Sequence, residues 1–215
     1  MNMYDAKKQA NKTMGTTICN ALKENGFIAQ YAENKKEAKD LSLTLIKREE
    51  TVGIPGSVTV REIGLVDALT EQGNKIYSHW EASNKTEDKN QCFIDELTSN
   101  WYVMSTNALT LQGVLVNIDG TGNRVGAMSW APGKLLIIAG INKIVPDMES
   151  AIKRIRNFST PSNAQRLDIK TPCAVGGRCF DCKAPNRLCR VTTIMDRAPF
   201  GRECHVIIVG EELGY

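Results

Sequence analysis

Four cysteines crowd into seventeen positions of this chain, in the segment TPCAVGGRCFDCKAPNRLCR. Five, two and six residues separate Cys173, Cys179, Cys182 and Cys189. Thiolates are soft ligands, and four of them are the set that holds zinc or an iron-sulfur cluster. The Cys179–Cys182 pair can approach one metal centre from a tight turn. Gly176 and Gly177 allow the backbone to turn, and Pro172 and Pro185 stiffen the approach. A structural zinc site more often pairs two short CxxC knuckles, so a single CxxC flanked by two lone cysteines suits a 4Fe-4S cluster, with zinc as the alternative. Amides near Gly176, Gly177 and Arg178 could then donate to cluster sulfurs. Cys19, Cys92 and Cys204 stand apart and read as ordinary buried small residues.

Two other segments could do chemistry. In GIPGSVTVREIGL, Gly53 and Gly56 let the chain turn from a strand into a helix, and Ser57 and Thr59 place hydroxyls near the helix start, where free amides favour an anion. It is neither a Walker loop nor a dinucleotide fingerprint. Glu62 reads either as a site carboxylate or as the reciprocal member of a capping box with Thr59. In STNALTLQGVLVNIDGTGNRVGAM, Asn107, Asn117, Asp119, Asn123 and Arg124 gather around a Gly-rich turn after a strand. Turns collect such residues for backbone reasons, yet this is also the end of a parallel sheet where α/β folds bind ligands. Two histidines are few for histidine-based catalysis. His205, in an apolar strand, reads as packing, and His79 has no assigned role.

The elements that must position these groups alternate. A long polar helix is predicted from Tyr4 to Asn25, a strand over Phe27–Tyr31, and a helix begun by Asn34 with Glu37 that runs to Arg48. Thr59 and Glu62 repeat the capping pattern before a helix ending near Gln72 and Gly73. Strands read at Lys75–His79, Trp101–Ser105, Val114–Ile118, Lys134–Ala139 and Cys204–Val209, several of them continuously apolar. That rhythm predicts an α/β fold, a largely parallel sheet with helices on both faces. One domain spans residues 1–215, with residues 157–201, rich in Pro, Gly, Arg and Cys, inserted before the last strand.

Composition narrows the function. The formal net charge of +3 argues against a whole-protein nucleic-acid footprint. Residues 151–202 nonetheless hold eleven Lys or Arg against three Asp, either a solvated basic face or an offset to thiolates or an anionic partner. The polar amino end lacks a signal peptide, and the longest apolar run, near Leu135 to Ile141, is far short of the roughly 18 residues that span a bilayer. A cytoplasmic location is expected, and with it reduced thiols rather than disulfides.

With these motifs in place, the chain resembles the lactate-utilisation (LUD) domain family in a short form with a carboxy-terminal cysteine motif. The resemblance is carried by GSVTVREIGL, TNALTLQGVLVNIDGTGNRV, GINKIV and TPCAVGGRCFDCKAPNRLC. It implies a fold like that of the sugar-phosphate isomerase and CoA-transferase group, with Gly53, Gly56, Ser57, Thr59 and Glu62 facing the second cluster. It also implies an iron-sulfur component that passes electrons from lactate to a carrier, although the paired ferredoxin-type motifs of longer members are missing. The expected ligand is a small anionic metabolite such as lactate or a phosphorylated compound, clamped by the Gly53 to Thr59 loop with Arg124, and Asn107 and Asn123 are further candidate ligand-binding residues. An electron-transfer protein and a second copy of the chain are the protein partners this reading admits. The alternatives are a non-redox isomerase-type or CoA-transferase-type protein, with Glu62 or Asp119 as the acid/base group and a structural metal, and a redox sensor.

Overall fold

Apolar runs that are buried on both faces become the central strands of a parallel sheet. The computed structural model describes residues 2–82 and 85–215, apart from the side chains of residues 86 and 87. Helix α1 (Met3–Glu24) is followed by β1 (Ile28–Ala32), α2 (Lys35–Leu45), β2 (Val52–Gly53), α3 (Val58–Glu62) and α4 (Leu65–Gln72). Then come β3 (Ile76–Tyr77), α5 (Thr86–Thr98), β4 (Trp101–Met104), β5 (Ala108–Thr110), β6 (Leu115–Asp119) and α6 (Asn123–Ser129). The chain continues through β7 (Lys134–Gly140), a 3₁₀ turn (Ile141–Lys143), β8 (Ile144–Val145) and α7 (Met148–Arg154). A π turn (Ile155–Ser159) carries α7 directly into α8 (Thr160–Arg166), and α9 (Pro172–Gly176), β9 (Val191–Met195) and β10 (Cys204–Val209) complete the order. No helix among the described residues is long and apolar enough to cross a membrane.

The main sheet has six strands in the order β1-β10-β7-β4-β2-β3, all paired in parallel. Side chains alternate across it. On β7, Leu135, Ile137 and Ala139 join Ile18 and Leu22 of α1 and Met128 of α6 in one core layer. Leu136 and Ile138 face the other way, onto Val60, Leu65 and Leu69 of α3 and α4. The helix starts follow local chemistry. Asn2 and Asn34 each cap a helix by accepting from the amide three residues on, Asp5 and Glu37.

Two expectations need correction. The helix predicted from Thr59 to Gln72 is two helices, α3 and α4, because the chain adopts a left-handed turn at Gly64 (φ 70°). A second sheet, β8-β5-β6-β9, stands beside the first and is mostly antiparallel. It covers a third core cluster in which Val116 and Ile118 pack with Ala151 and Ile155. Residues 157–201 supply most of the π turn, two helices and the strand β9 that closes the second sheet.

Candidate functional site

All six strands of the main sheet point the same way, so the loops leaving their carboxyl ends meet on one side. Residues that follow β2, β3, β4, β7 and β10 line a cleft of about 220 Å³, completed by the turn after β6, the start of α6 and the π turn with α8.

Lys143 is the group that ties these ends together. The 3₁₀ turn after β7 sends its side chain inward, where it is 3% exposed. Its Nζ donates to Thr59 Oγ1 on α3 at 3.0 Å and to Ser105 Oγ, just past β4, at 2.9 Å. Among the described residues it forms no ion pair. Burial, reinforced by the charges of Arg154 and Arg124, brings its pKa down from the ordinary lysine value to about 7, while Glu62 pulls weakly the other way. Arg154 is itself held by the carbonyls of Asn107 and Asn142 and by Ser159 Oγ of the π turn.

Thr59 therefore does not start the helix. Ser57 is the cap, accepting from Val60 N at 3.3 Å, and Thr59 presents its hydroxyl to the amine instead. Gly56, Ser57 and Thr59 line the cleft, whereas Gly53 and Glu62 do not. Gly53 lies under α5, where a Cβ would stand 2.2 Å from the Glu96 carbonyl oxygen. The exposed Glu62 accepts from the Gly214 amide at 2.7 Å, so it is neither a cleft carboxylate nor the partner of a Thr59 cap. Gly56 admits the indole of Trp80, since a Cβ there would sit 2.1 Å from its nitrogen. Trp80 is in turn flanked by the guanidinium groups of Arg61 and Arg166, at 4.8 and 4.6 Å from the ring.

Asp119, Asn123, Arg124 and Asn107 also line the cleft, but two of them are committed to each other. Asp119 Oδ1 accepts from Arg124 Nε and Nη2 at 3.3 and 2.9 Å, Oδ2 accepts from the Arg124 amide at 3.0 Å, and Arg124 Nη2 also reaches the Ile118 carbonyl. Asp119 is thus the anchor of Arg124 rather than a free acid/base group, and the Arg124 fork expected to clamp a ligand already holds Asp119. Asn107 and Asn117 build the turn. Asn107 N donates to Asn117 Oδ1, and Asn107 Oδ1 accepts from the Ile118 amide. The Asn123 Nδ2 group, by contrast, is buried with no hydrogen-bond partner.

His79, unassigned from sequence, also lines the cleft. Glu96, 1% exposed on α5, accepts from both the His79 amide and ring Nδ1 through the same oxygen, the latter at 2.7 Å. That contact anchors the ring at Nδ1 against the Glu96 carboxyl group. His205 packs inside β10 as expected and contacts Glu203.

The four motif cysteines are free and lie in one segment, but they are not gathered into a ligand set. Among the described residues no group of three or more His, Cys, Asp or Glu is placed to hold a metal ion. Cys173 is buried beside the Thr171 hydroxyl at 3.2 Å. Arg187 occupies the loop between the others, donating to the Cys182 carbonyl at 2.7 Å and to the Cys189 thiol at 3.1 Å while pairing with Asp181. As folded, the four thiols do not converge on a single metal ion, and Arg187 stands in the loop they would share.

Sequence reading therefore found the turn residues of the cleft and missed Lys143, His79, Trp80 and Arg166. A single Lys within the apolar run IIAGINKIV was the one available signal, because a cation there must be buried or excluded.

Comparison with known proteins agrees with this architecture. A crystal structure of a DUF162 family protein from Deinococcus radiodurans superposes with a TM-score of 0.53 at 9% identity, covering 93% of this chain and 98% of that one. At that identity the likeness is one of fold, the α/β arrangement expected from the sequence. No curated protein matches the chain. The model of the LUD domain matches residues 16–209, nearly the whole sequence. The chain belongs to the LUD domain family, a membership that suggests involvement in lactate utilisation.

Proposed function

We propose that the cleft binds a small carboxylate metabolite such as lactate, and that the protein serves lactate utilisation through this site. The observation that supports this reading is the charge balance of the cleft wall. Among the described side chains of the wall Asp119 is the only carboxylate and is consumed by Arg124, which leaves Arg166 without an acidic side-chain partner there, while Lys143 offers N–H groups whether or not it is charged. A low-dielectric recess with an unpaired guanidinium, the Lys143 amine and the unsatisfied Asn123 amide is complementary to a compact anion. Neither a helix amino terminus nor Glu62 is needed, because α3 is short and Glu62 lies outside.

Titration calorimetry with L-lactate, pyruvate and inorganic phosphate tests the reading. Binding of a carboxylate is expected. Lys143→Met and Arg166→Ala should each weaken it roughly ten- to a hundredfold, the worth of a charge-assisted hydrogen bond. Absence of carboxylate binding, or binding indifferent to both substitutions, would overturn it. The isomerase-type and CoA-transferase-type alternative loses support, because both of its acid/base candidates are committed elsewhere.

A redox role would need a 4Fe-4S cluster to draw Cys173, Cys179, Cys182 and Cys189 together and displace Arg187 from the loop, whereas zinc held by the same thiolates would be structural. Such a cluster would supply a one-electron store, and an electron-transfer protein would relay from it. Iron, sulfide and zinc analysis of anaerobically purified protein decides: iron with equimolar sulfide, lost in Cys182→Ser, supports a cluster. Stoichiometric zinc without sulfide supports the structural metal, and protein free of iron, sulfide and zinc means the segment works as folded here.

A further inference from the structure

A lysine that serves only as a positive charge is normally solvated or paired with a carboxylate, and Lys143 is neither. Its Nζ donates to Thr59 Oγ1 and Ser105 Oγ, and a neutral amine bonded in this way keeps its lone pair free. The cations around it, Arg154 and Arg124, disfavour a third charge, and Glu62 is bound to the Gly214 amide. The same wall carries His79, its ring held at Nδ1 by Glu96. A desolvated amine beside guanidinium groups is the arrangement that turns lysine into a nucleophile.

We propose that Lys143 captures the carbonyl carbon of a 2-oxo acid bound in the cleft, forming an imine. The inference rests on the carboxylate-binding reading above and narrows it to ligands that bear a carbonyl next to the carboxylate. The nitrogen lone pair adds to the carbonyl carbon and the C=O π pair moves to oxygen. Both amine protons then leave with that oxygen as water, and the C=N bond takes its place. Nothing is oxidised or reduced. His79, which lines the same cleft, is assigned to carry protons to the departing oxygen. Neutral amine is available around pH 7 because burial has lowered the affinity of Lys143 for its proton.

The test is reductive trapping of the full chain with pyruvate and sodium borohydride, read by intact mass and peptide mapping. One adduct per chain is expected, with a mass gain of one pyruvic acid less one oxygen atom, located on Lys143. Acetone, which lacks the carboxylate, should label it at least about tenfold less, the weight of one lost charge-assisted contact. In wild-type protein the trapping rate should rise through about pH 7, without reliance on a variant that could fail to fold. Pyruvate that binds by calorimetry but yields no adduct, or adducts scattered over surface lysines, overturns the imine and leaves the carboxylate reading standing. If neither pyruvate nor L-lactate binds, both fail together.

Discussion

Lys143→Met should narrow its stability advantage over the parent protein as pH rises from 7 towards 10. In the unfolded chain the lysine keeps its ordinary pKa, near 10.5, whereas in the folded chain it titrates near 7. Between these values the unfolded state binds one more proton than the folded state, so the parent gains stability with increasing pH. The gain is about 1.4 kcal/mol per pH unit and roughly 5 kcal/mol in all. Below pH 7 both states hold the proton and the full cost of a buried ammonium is present; above that it is relieved. Methionine fills similar space and cannot titrate there, so the difference between the two proteins isolates this one group. Urea unfolding at pH 6, 7, 8 and 9 measures it. A difference that stays flat over that range, or runs in the opposite direction, would show that Lys143 is not buried in the way its contacts require.

The second large effect concerns Asp119. Its side chain is 9% exposed, holds Arg124 through three contacts, and its own carbonyl accepts from Arg190 at the base of the cysteine segment. Asp119→Ala leaves a largely buried guanidinium uncompensated, which costs about 3–5 kcal/mol. For a chain of this size that corresponds to a fall in melting temperature of roughly 10 °C or more. Asp119→Ala combined with Arg124→Met should recover much of the loss, because no charge is then stranded. Thermal unfolding of the two single variants and the double variant closes the cycle. A double variant as unstable as Asp119→Ala alone would place the damage in the turn and not in the ion pair.

The main sheet was legible because its strands are buried on both faces. Lys134–Gly140 and Cys204–Val209 are runs in which nearly every residue is apolar, and such runs announce themselves. Of the second sheet only β6, expected over Val114–Ile118, was legible. Ala108–Thr110 and Ile144–Val145 are too short to show a period, and Val191–Met195, at the sheet edge with most side chains outward, has no apolar face to read. The site followed the same division. Gly56, Ser57, Asn107, Asn123 and Arg124 lie in turns whose composition is visible locally. His79 and Glu96 are seventeen residues apart, and Lys143 meets Thr59 across eighty-four, so only the closed sheet brings them together. Arg124 shows the opposite case. Its type and place suggested a ligand clamp, and nothing in the sequence revealed that Asp119, five residues earlier, already fills its fork.

The π turn between α7 and α8 sets an angular phase for the cleft. Ile155 and Ser159, its first and last residues, face inward, and Asn163 and Arg166 of α8 do so beyond it, in what would otherwise be one continuous helix. A residue in an α-helix advances the side-chain direction by about 100°. Removing one residue from Ile155–Ser159 would regularise the helix while swinging everything beyond it by that angle. Arg166 would leave Trp80, and Asn163 would leave the wall. The irregular turn thus acts as a one-residue offset that lets a single rod serve the cleft along its whole length.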